Sequence, residues 1–317
     1  MMKKHVGIDL GKYALDLHIF EDQKDIHLDH TAKNIEKCAA MLAKLDVELV
    51  ALEATGGYET NLVMALQTAG IAVAVVNPRR VRDFARAAGV LAKTDKVDAK
   101  VLARFAAVMQ PPARELIDAN TRILQALVAR RTQLVNMRTM ETNRKEHAGD
   151  KLIARSIEAI IRTIQREIDK VEKQIRQHID QQPELKEKAK LLETTPGIGE
   201  TTAAMLVVEM PELGRANKKE IAALMGVAPL NRDSGTLRGK RMTGGGRRTV
   251  RARLFMPVLS AIRHNPMIRK YYQHLRAQGK AKMTAVVAAM RKLLVILNTM
   301  VKNNQVWNCQ IARSSCL

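Results

Sequence analysis

Apolar runs of strand length alternate with helix-like segments over the first 110 residues. Residues 48–52 and 71–76 are almost continuously apolar, which is typical of strands buried on both faces of a sheet. Two shorter alternating runs, at 5–8 and 15–20, predict further strands. Helical periodicity is found at 34–45 (with Asn34 as its N-cap), at 60–69, from Pro78 onward and at 97–109. This order predicts an α/β domain with a mixed sheet over residues 1–110.

The next segment, residues 111–190, is predicted to be helical. Between Ile157 and His178, mainly apolar side chains recur at alternating steps of three and four, the pattern of a coiled coil over about three heptads. An earlier predicted helix at 123–140 can pack back on this one or on a second chain. The sequence leaves both alternatives open, so the segment is a candidate for oligomerisation.

Positive charge is concentrated toward the C-terminus. The chain has a formal charge of +21, yet residues 1–110 carry 15 Lys and Arg against 14 Asp and Glu, a net of +1. Residues 191–317 carry 21 against 6, a net of +15, and no acidic residue follows Asp233. Helical patterns predict a mostly helical domain at 191–302 and a tail at 303–317, and the charge asymmetry predicts that this domain binds a polyanion. Because only 3% of residues are aromatic, base stacking is excluded as the main mode of contact.

Cysteine usage and hydropathy predict a cytoplasmic protein. The three cysteines lack metal-ligand spacing, and an odd number favours a reducing compartment over a disulfide framework. Asp9 interrupts the N-terminal apolar run, so no signal peptide is expected. Arg291 and Lys292 break the apolar stretch at 283–296, so we expect no membrane span of ~20 residues.

Four carboxylates are candidate metal ligands. Asp9 and Glu53 lie at the ends of different predicted strands, and Asp95 and Asp98 are three residues apart at a predicted helix start, on one face. Oxygen ligands of this kind suit Mg²⁺ or Mn²⁺, and metal-assisted displacement at phosphate is the chemistry they favour. The Gly-Ile-Asp-Leu-Gly start also occurs in actin-like sugar kinases and ATPases. That alternative needs a second phosphate loop and an adenosine motif, which we do not find in the sequence.

A Pro-Gly-Ile-Gly turn stands at the entrance to the basic region. Gly197 and Gly199 would let backbone N–H groups approach a phosphate at a helix N-terminus, as in helix–hairpin–helix modules. A plain turn between helices is the alternative. The position beside the basic region favours sequence-independent contact with duplex DNA.

Ser234 lies in a Gly-, Ser- and Arg-rich stretch at 231–248. A serine hydroxyl becomes a nucleophile at phosphate only with activation and with cations around the developing charge. The candidate cations that bind nucleic acid are Arg238, Lys240, Arg241, Arg247, Arg248 and Arg251. Taken by themselves, these residues favour a phosphate-binding loop over a nucleophilic serine.

Six motifs in order resemble the DEDD-type transposases of bacterial insertion sequences, a family of serine-dependent recombinases guided by a bridge RNA. They are Gly-Ile-Asp, Glu-Ala-Thr-Gly, Val-Asn-Pro, Lys-Thr-Asp-Lys-Val-Asp-Ala, Pro-Gly-Ile-Gly and Ser-Gly-Thr-Leu-Arg-Gly. The resemblance covers about residues 5–300. It implies a Holliday-junction-resolvase-like N-terminal domain with the RNase H fold, in which Asp9, Glu53, Asp95 and Asp98 are catalytic and hold Mg²⁺.

The resemblance further implies that Ser234 is the nucleophile of a separate transposase domain. Cutting and rejoining would proceed through a phosphoserine ester and a Holliday junction. Partners would be donor and target double-stranded DNA and a structured non-coding guide RNA. The resemblance also implies a tetramer in which the acids of one subunit meet the serine of another.

Two other functions stay open at the level of sequence. A metal-dependent junction nuclease would use the four acids alone. A non-catalytic nucleic-acid-packaging protein would use neither the acids nor Ser234. The nuclease, unlike the recombinase, should still cleave DNA when Ser234 is replaced by alanine. The packaging protein should keep every activity when Asp9 or Asp98 is replaced by alanine.

Overall fold

A computed structural model describes residues 3–90, 95–114, 118–231, 234, 239 and 241–308. The chain divides into two compact units, Met1–Ile117 and Asp118–Leu317. Each unit has its own apolar core.

The first unit is an α/β domain built on a five-stranded sheet. Its elements are β1 (Lys4–Leu10), β2 (Ala14–Ile19), β3 (Lys24–Asp29), α1 (Ala32–Ala43), β4 (Val47–Glu53), α2 (Glu59–Thr68), β5 (Val73–Val76), α3 (Pro78–Ala87) and α4 (Asp95–Met109). The strand order is β3-β2-β1-β4-β5. Strands β1, β4 and β5 are parallel, whereas β2 and β3 are antiparallel to their neighbours, so the predicted mixed sheet is confirmed.

Helices cover both faces of this sheet. On one face, alternate residues such as Val6, Ile8 and Leu52 pack with α1 and α2. On the other, Ala51 and Ala74 pack with α3 and α4. Burial on both faces explains the continuous apolar runs of the central strands.

Two local predictions for this unit need correction. Strand β3 was not predicted; it is an exposed edge strand, and its Lys-Asp-Ile-His-Leu-Asp sequence contributes only Ile26 and Leu28 to the core. Asn34 is not the N-cap of α1. Thr31 caps that helix, and its hydroxyl accepts a hydrogen bond from the Asn34 backbone N–H at 3.3 Å.

The second unit begins with a long helical hairpin. Helix α5 (Ala119–Glu146) and helix α6 (Lys151–Asp180) pack against each other within the chain. Three polar pairs join them at seven-residue intervals and in opposite order along the two helices: Arg131 with Glu172, Arg138 with Gln165, and Lys145 with Glu158. The helices are therefore antiparallel, which is the intramolecular one of the two predicted alternatives.

The rest of the second unit is mostly helical, as expected. It contains α7 (Pro183–Glu193), α8 (Glu200–Glu209), α9 (Lys218–Met225), β6 (Pro229–Leu230), β7 (Met242–Thr243), α10 (Arg248–His264), α11 (Pro266–Ala277) and α12 (Lys282–Asn303). The two short strands pair antiparallel. Helix α12 lies at the centre, where Leu293, Leu294, Ile296 and Leu297 are fully buried.

Helix α12 also has the length and composition of a membrane-spanning helix. It has 22 residues, and its most apolar window has a mean hydropathy of 1.6. The expectation that no segment approaches a membrane span is therefore wrong for this helix on composition alone. Since 61% of that window is buried inside the unit, the core of the second unit accounts for its apolar character.

Candidate active site and nucleic-acid interface

Asp9 and Glu53 lie side by side at the carboxyl ends of two parallel strands. Ile8 of β1 pairs with Leu52 of β4, and the two acids are the next residue on each strand. Residues opposite each other in a sheet point to the same face, so the two carboxylates share one face. Both side chains are half-buried. The structure thus brings these two acids together at one edge of the sheet.

Helix α4, which carries Asp95 and Asp98, covers that same face. A Cβ on Gly7, two residues before Asp9, would lie 2.1 Å from the Ala99 carbonyl oxygen and 2.2 Å from the Ala103 nitrogen. The helix backbone therefore rests directly on β1, and only glycine permits this approach. Asp98 is half-buried in the first turns of the helix, whereas the Asp95 side chain lies outside the described residues.

A fifth acid extends this row across the sheet. Asp16 of β2 pairs with Asp9, and the next strand places His27 opposite Asp16. The buried Asp16 carboxylate and His27 Nδ1 are 2.8 Å apart. Sequence analysis did not select Asp16, because only the strand register places it beside Asp9.

The donor set suits a hard divalent cation. Asp9, Glu53 and Asp98 offer only carboxylate oxygens, which Mg²⁺ and Mn²⁺ prefer. Each of the three already takes part in an interaction within the protein. Among the side chains that the structure describes, no three His, Cys, Asp or Glu residues form a group able to hold a metal ion. The four-acid metal site, which includes Asp95, stays a prediction.

Ser234 is exposed in the second unit, between β6 and β7. The pairs Pro229–Thr243 and Leu230–Met242 bring the two ends of this segment together. Arg241 is exposed immediately before β7. The predicted neighbours Arg238 and Lys240 lie outside the described residues.

Comparison with known proteins assigns the chain to a family. A transposase family model, DEDD_Tnp_IS110, matches residues 6–148, and a second, for transposases of the IS116/IS110/IS902 family, matches residues 189–273. The pilin gene-inverting protein of Moraxella bovis is 32% identical over 264 residues, covering 82% of each chain. A 43.6 kDa insertion element IS110 protein of Streptomyces coelicolor is 29% identical over 36% of this chain and 28% of its own length.

The chain belongs to the IS116/IS110/IS902 family of transposases. Membership makes it a DNA transposase or recombinase, with DNA as its partner. The first family match contains all four predicted acids, and the second contains Ser234 and every predicted nucleic-acid-binding residue.

Two predicted nucleic-acid contacts of this transposase have partners inside the protein. The Arg247 guanidinium donates to both Glu212 carboxylate oxygens, at 2.6 and 2.7 Å, and to the Glu209 carbonyl oxygen. Arg251 donates to the carbonyl oxygens of Gly226 and Gly245, each at 3.0 Å. Arg251 thus holds Gly226 and Gly245 together, and Arg247 fixes the start of α10 to the residues that follow α8. Arg248 is exposed at the start of α10, and its contact with nucleic acid stays a prediction.

The Arg247 pair also changes the titration of its partner. Burial of Glu212 disfavours its charged form, but the hydrogen bonds from Arg247 outweigh this, so the pKa of Glu212 is lowered. The carboxylate is thus held charged in the folded transposase.

The Pro-Gly-Ile-Gly turn joins α7 to α8, two helices that pack together, as the helix–hairpin–helix prediction requires. Gly197 has a φ of +98°, and a Cβ there would lie 2.6 Å from the Ala261 backbone. Position 197 therefore requires glycine, because any side chain there would clash with Ala261 of α10. Gly199 is the N-cap of α8 and has open space around it. However, Glu193 and Glu200 flank the turn. Burial and the nearby charge of Glu200 raise the pKa of Glu193. These carboxylates oppose phosphate binding at the turn, which stays a prediction.

Proposed function

We propose that this transposase is a site-specific recombinase that excises and inserts its own element, with Ser234 as nucleophile and the four acids as the metal site. The observation that supports this most directly is the placement of Asp9 and Glu53 on neighbouring strands, on the sheet face covered by α4. The strand order β3-β2-β1-β4-β5 supports an RNase H-like fold for this unit. The exposure of Ser234 supports its access to DNA.

In the proposed reaction the Ser234 hydroxyl attacks the phosphorus of a DNA phosphodiester. The serine–phosphate bond forms, the bond to one deoxyribose oxygen breaks, and the serine proton ends on that oxygen as a free hydroxyl. A hydroxyl from another strand then attacks the phosphoserine ester and releases Ser234, so the energy of the phosphodiester is retained. Exchange of two strands in this way would give a Holliday junction. A bound Mg²⁺ would supply positive charge that stabilises the phosphate as charge develops on it.

Asp9, Glu53, Asp95 and Asp98 would hold that ion. Asp9, Glu53 and Asp98 are half-buried, and α4 covers this face of the sheet, which limits access of water and strengthens electrostatic interactions there. We propose that a second subunit supplies the serine to these acids, because the two sets of residues belong to different units of the chain.

Assembly of subunits through the helical hairpin is part of this proposal. Large apolar side chains are exposed in the halves of α5 and α6 that lie nearest the connection between the two helices: Met137, Met140, Leu152, Ile153 and Ile160. Exposed apolar surface of this kind marks an interaction site. We propose a homodimer or homotetramer joined at this surface. A structured guide RNA would bind to the basic region at 234–302, which contains no Asp or Glu. The RNA would select the DNA sequence by base pairing.

The test is a strand-cleavage assay with DNA, Mg²⁺ and RNA transcribed from the sequence that flanks the gene. The wild type should give a covalent protein–DNA adduct on a denaturing gel, and Ser234→Ala should give neither adduct nor cleavage. Ser156→Ala, an exposed serine on α6, is the matched control and should act as the wild type does. Cleavage by Ser234→Ala would instead favour the nuclease that uses the acids alone. Full activity of Asp9→Ala would favour a non-catalytic role for the acids.

A further inference from the structure

A cavity of about 730 Å³ lies in the second unit beside the segment that carries Ser234. Pro229 of β6 and Met242 of β7, the strands from which that segment extends, form one wall. Tyr271 of α11 and one face of α12 form the others. The volume is in the range of small-ligand sites in proteins.

Four cations line this cavity without a carboxylate. They are Lys218, Arg241, Arg291 and Lys292, and no Asp or Glu is among the described lining residues. The described part of the chain contains no ion pair for any of the four. Lys292 Nζ instead lies over the Tyr271 ring, 4.3 Å from its centroid. Arg291 is half-buried. A half-buried guanidinium with no counter-charge among the described residues favours an anionic ligand.

A second cavity in the same unit shows that this is not a general property of a basic chain. It measures about 650 Å³ and is lined by four arginines, of which three pair with carboxylates and Arg138 contacts Gln165. Arg131 pairs with Glu172 at 2.7 Å, Arg176 pairs with Glu200 at 3.0 Å, and Arg253 pairs with Glu209. Positive charge is therefore unpaired among the described residues of the first cavity and mostly paired at the second.

The floor of the first cavity is apolar. Val227, Val295 and Ile296 are buried there, and the exposed side chains of Met242 and Met283 stand at its edge. A phosphodiester alone needs cations and gains nothing from this floor. A ligand that combines a phosphate with a flat, largely apolar ring would contact both surfaces.

We propose that this cavity binds a single unpaired nucleotide of the DNA or RNA strand handled by the transposase. Its base would lie on the apolar floor beside Tyr271, and its phosphate would contact Arg241 and Arg291. The base must be unpaired, because both faces of a base inside a duplex are covered by its neighbours. This inference rests on the proposed function, in which nucleotides next to the cut are unpaired during strand exchange.

The test is fluorescence anisotropy of the full chain with single-stranded DNA, single-stranded RNA, duplex DNA of the same sequence and single-stranded DNA that contains abasic sites. Arg291→Gln removes a cavity cation, Ala288→Phe fills the cavity, and Arg263→Gln removes an exposed cation elsewhere as the matched control. We expect the two cavity variants to bind one of the single strands about tenfold more weakly, within the range measured for single stacked bases. Duplex binding should match that of Arg263→Gln, and the abasic probe should bind all variants alike. Whichever single strand loses affinity identifies the source of the nucleotide.

Equal losses for single strands and duplex, or no difference from Arg263→Gln, would overturn the inference. Thermal unfolding of each variant ensures that a lost fold is not scored as lost binding, and the two cavity variants act through different physical changes. Binding is measured without cleavage, so this result is independent of the Ser234→Ala assay. If Ser234→Ala loses the adduct but the cavity variants bind normally, nucleotide binding by the cavity is rejected and the serine mechanism is retained. If Ser234→Ala still cleaves DNA but the cavity variants bind a single strand more weakly than duplex, the serine mechanism is rejected and nucleotide binding by the cavity is retained.

Discussion

Substitution of Gly7 by alanine tests whether α4 and its two acids depend on a backbone contact with β1. The added Cβ would meet three backbone atoms, the Ala99 oxygen at 2.1 Å, the Ala103 nitrogen at 2.2 Å and the Leu102 carbonyl carbon at 2.8 Å. Ordinary Cβ contacts begin at 3.4 Å, so the helix must move away by about 1 Å. No flexible side chain can absorb this movement. Overpacking of this kind costs about 3 kcal/mol, the upper part of the usual range.

The same shift should affect catalysis, because α4 carries Asp95 and Asp98. A misplacement of ~1 Å can reduce a rate by about 10²-fold. The assays are chemical denaturation, which measures the free energy of unfolding, and DNA cleavage at a temperature where the variant is folded. Gly11→Ala is the control, since its Cβ would meet the nearest atom at an ordinary 3.7 Å. A Gly7→Ala protein that is as stable as Gly11→Ala would refute direct contact between α4 and β1.

Two further predictions concern the second unit. Glu212→Gln should lower the free energy of unfolding by about 1–2 kcal/mol at pH 7, as expected for a hydrogen bond to a charged group. Because the folded pKa of Glu212 lies below its ordinary value of 4.5, this difference is fully present above pH 4.5. It should disappear as the pH falls through the folded pKa, and Glu187→Gln, at an exposed position, is the control for the loss of one negative charge. Leu152→Glu combined with Ile153→Glu should reduce the molar mass in light scattering without unfolding the chain, because both side chains are more than half exposed at the hairpin. An unchanged mass would place subunit contacts elsewhere.

The candidate sites were predicted to different degrees. Asp9 and Glu53 could be placed at the ends of two different strands, because an apolar strand and the polar residue that ends it are adjacent in sequence. Only the structure shows that these two strands are neighbours. Asp16 could not, because its position beside Asp9 depends on the register of β1 and β2. The helical hairpin was one of two alternatives, since an apolar seam does not specify whether its partner belongs to the same chain.

The sequence by itself determined the α/β character of the first unit, the helical character of the second and the excess of positive charge in the C-terminal region. These properties follow from local periodicity and from composition. Only the tertiary structure decided which cations remain available to a ligand. Arg247 was predicted to bind nucleic acid but pairs with Glu212, 35 residues away in the chain. Arg291 and Lys292 were noted only as breaks in an apolar stretch, yet they line a cavity whose described residues include no carboxylate. The difference arises because the partner of a charge is chosen by folding, which joins residues that are distant in sequence.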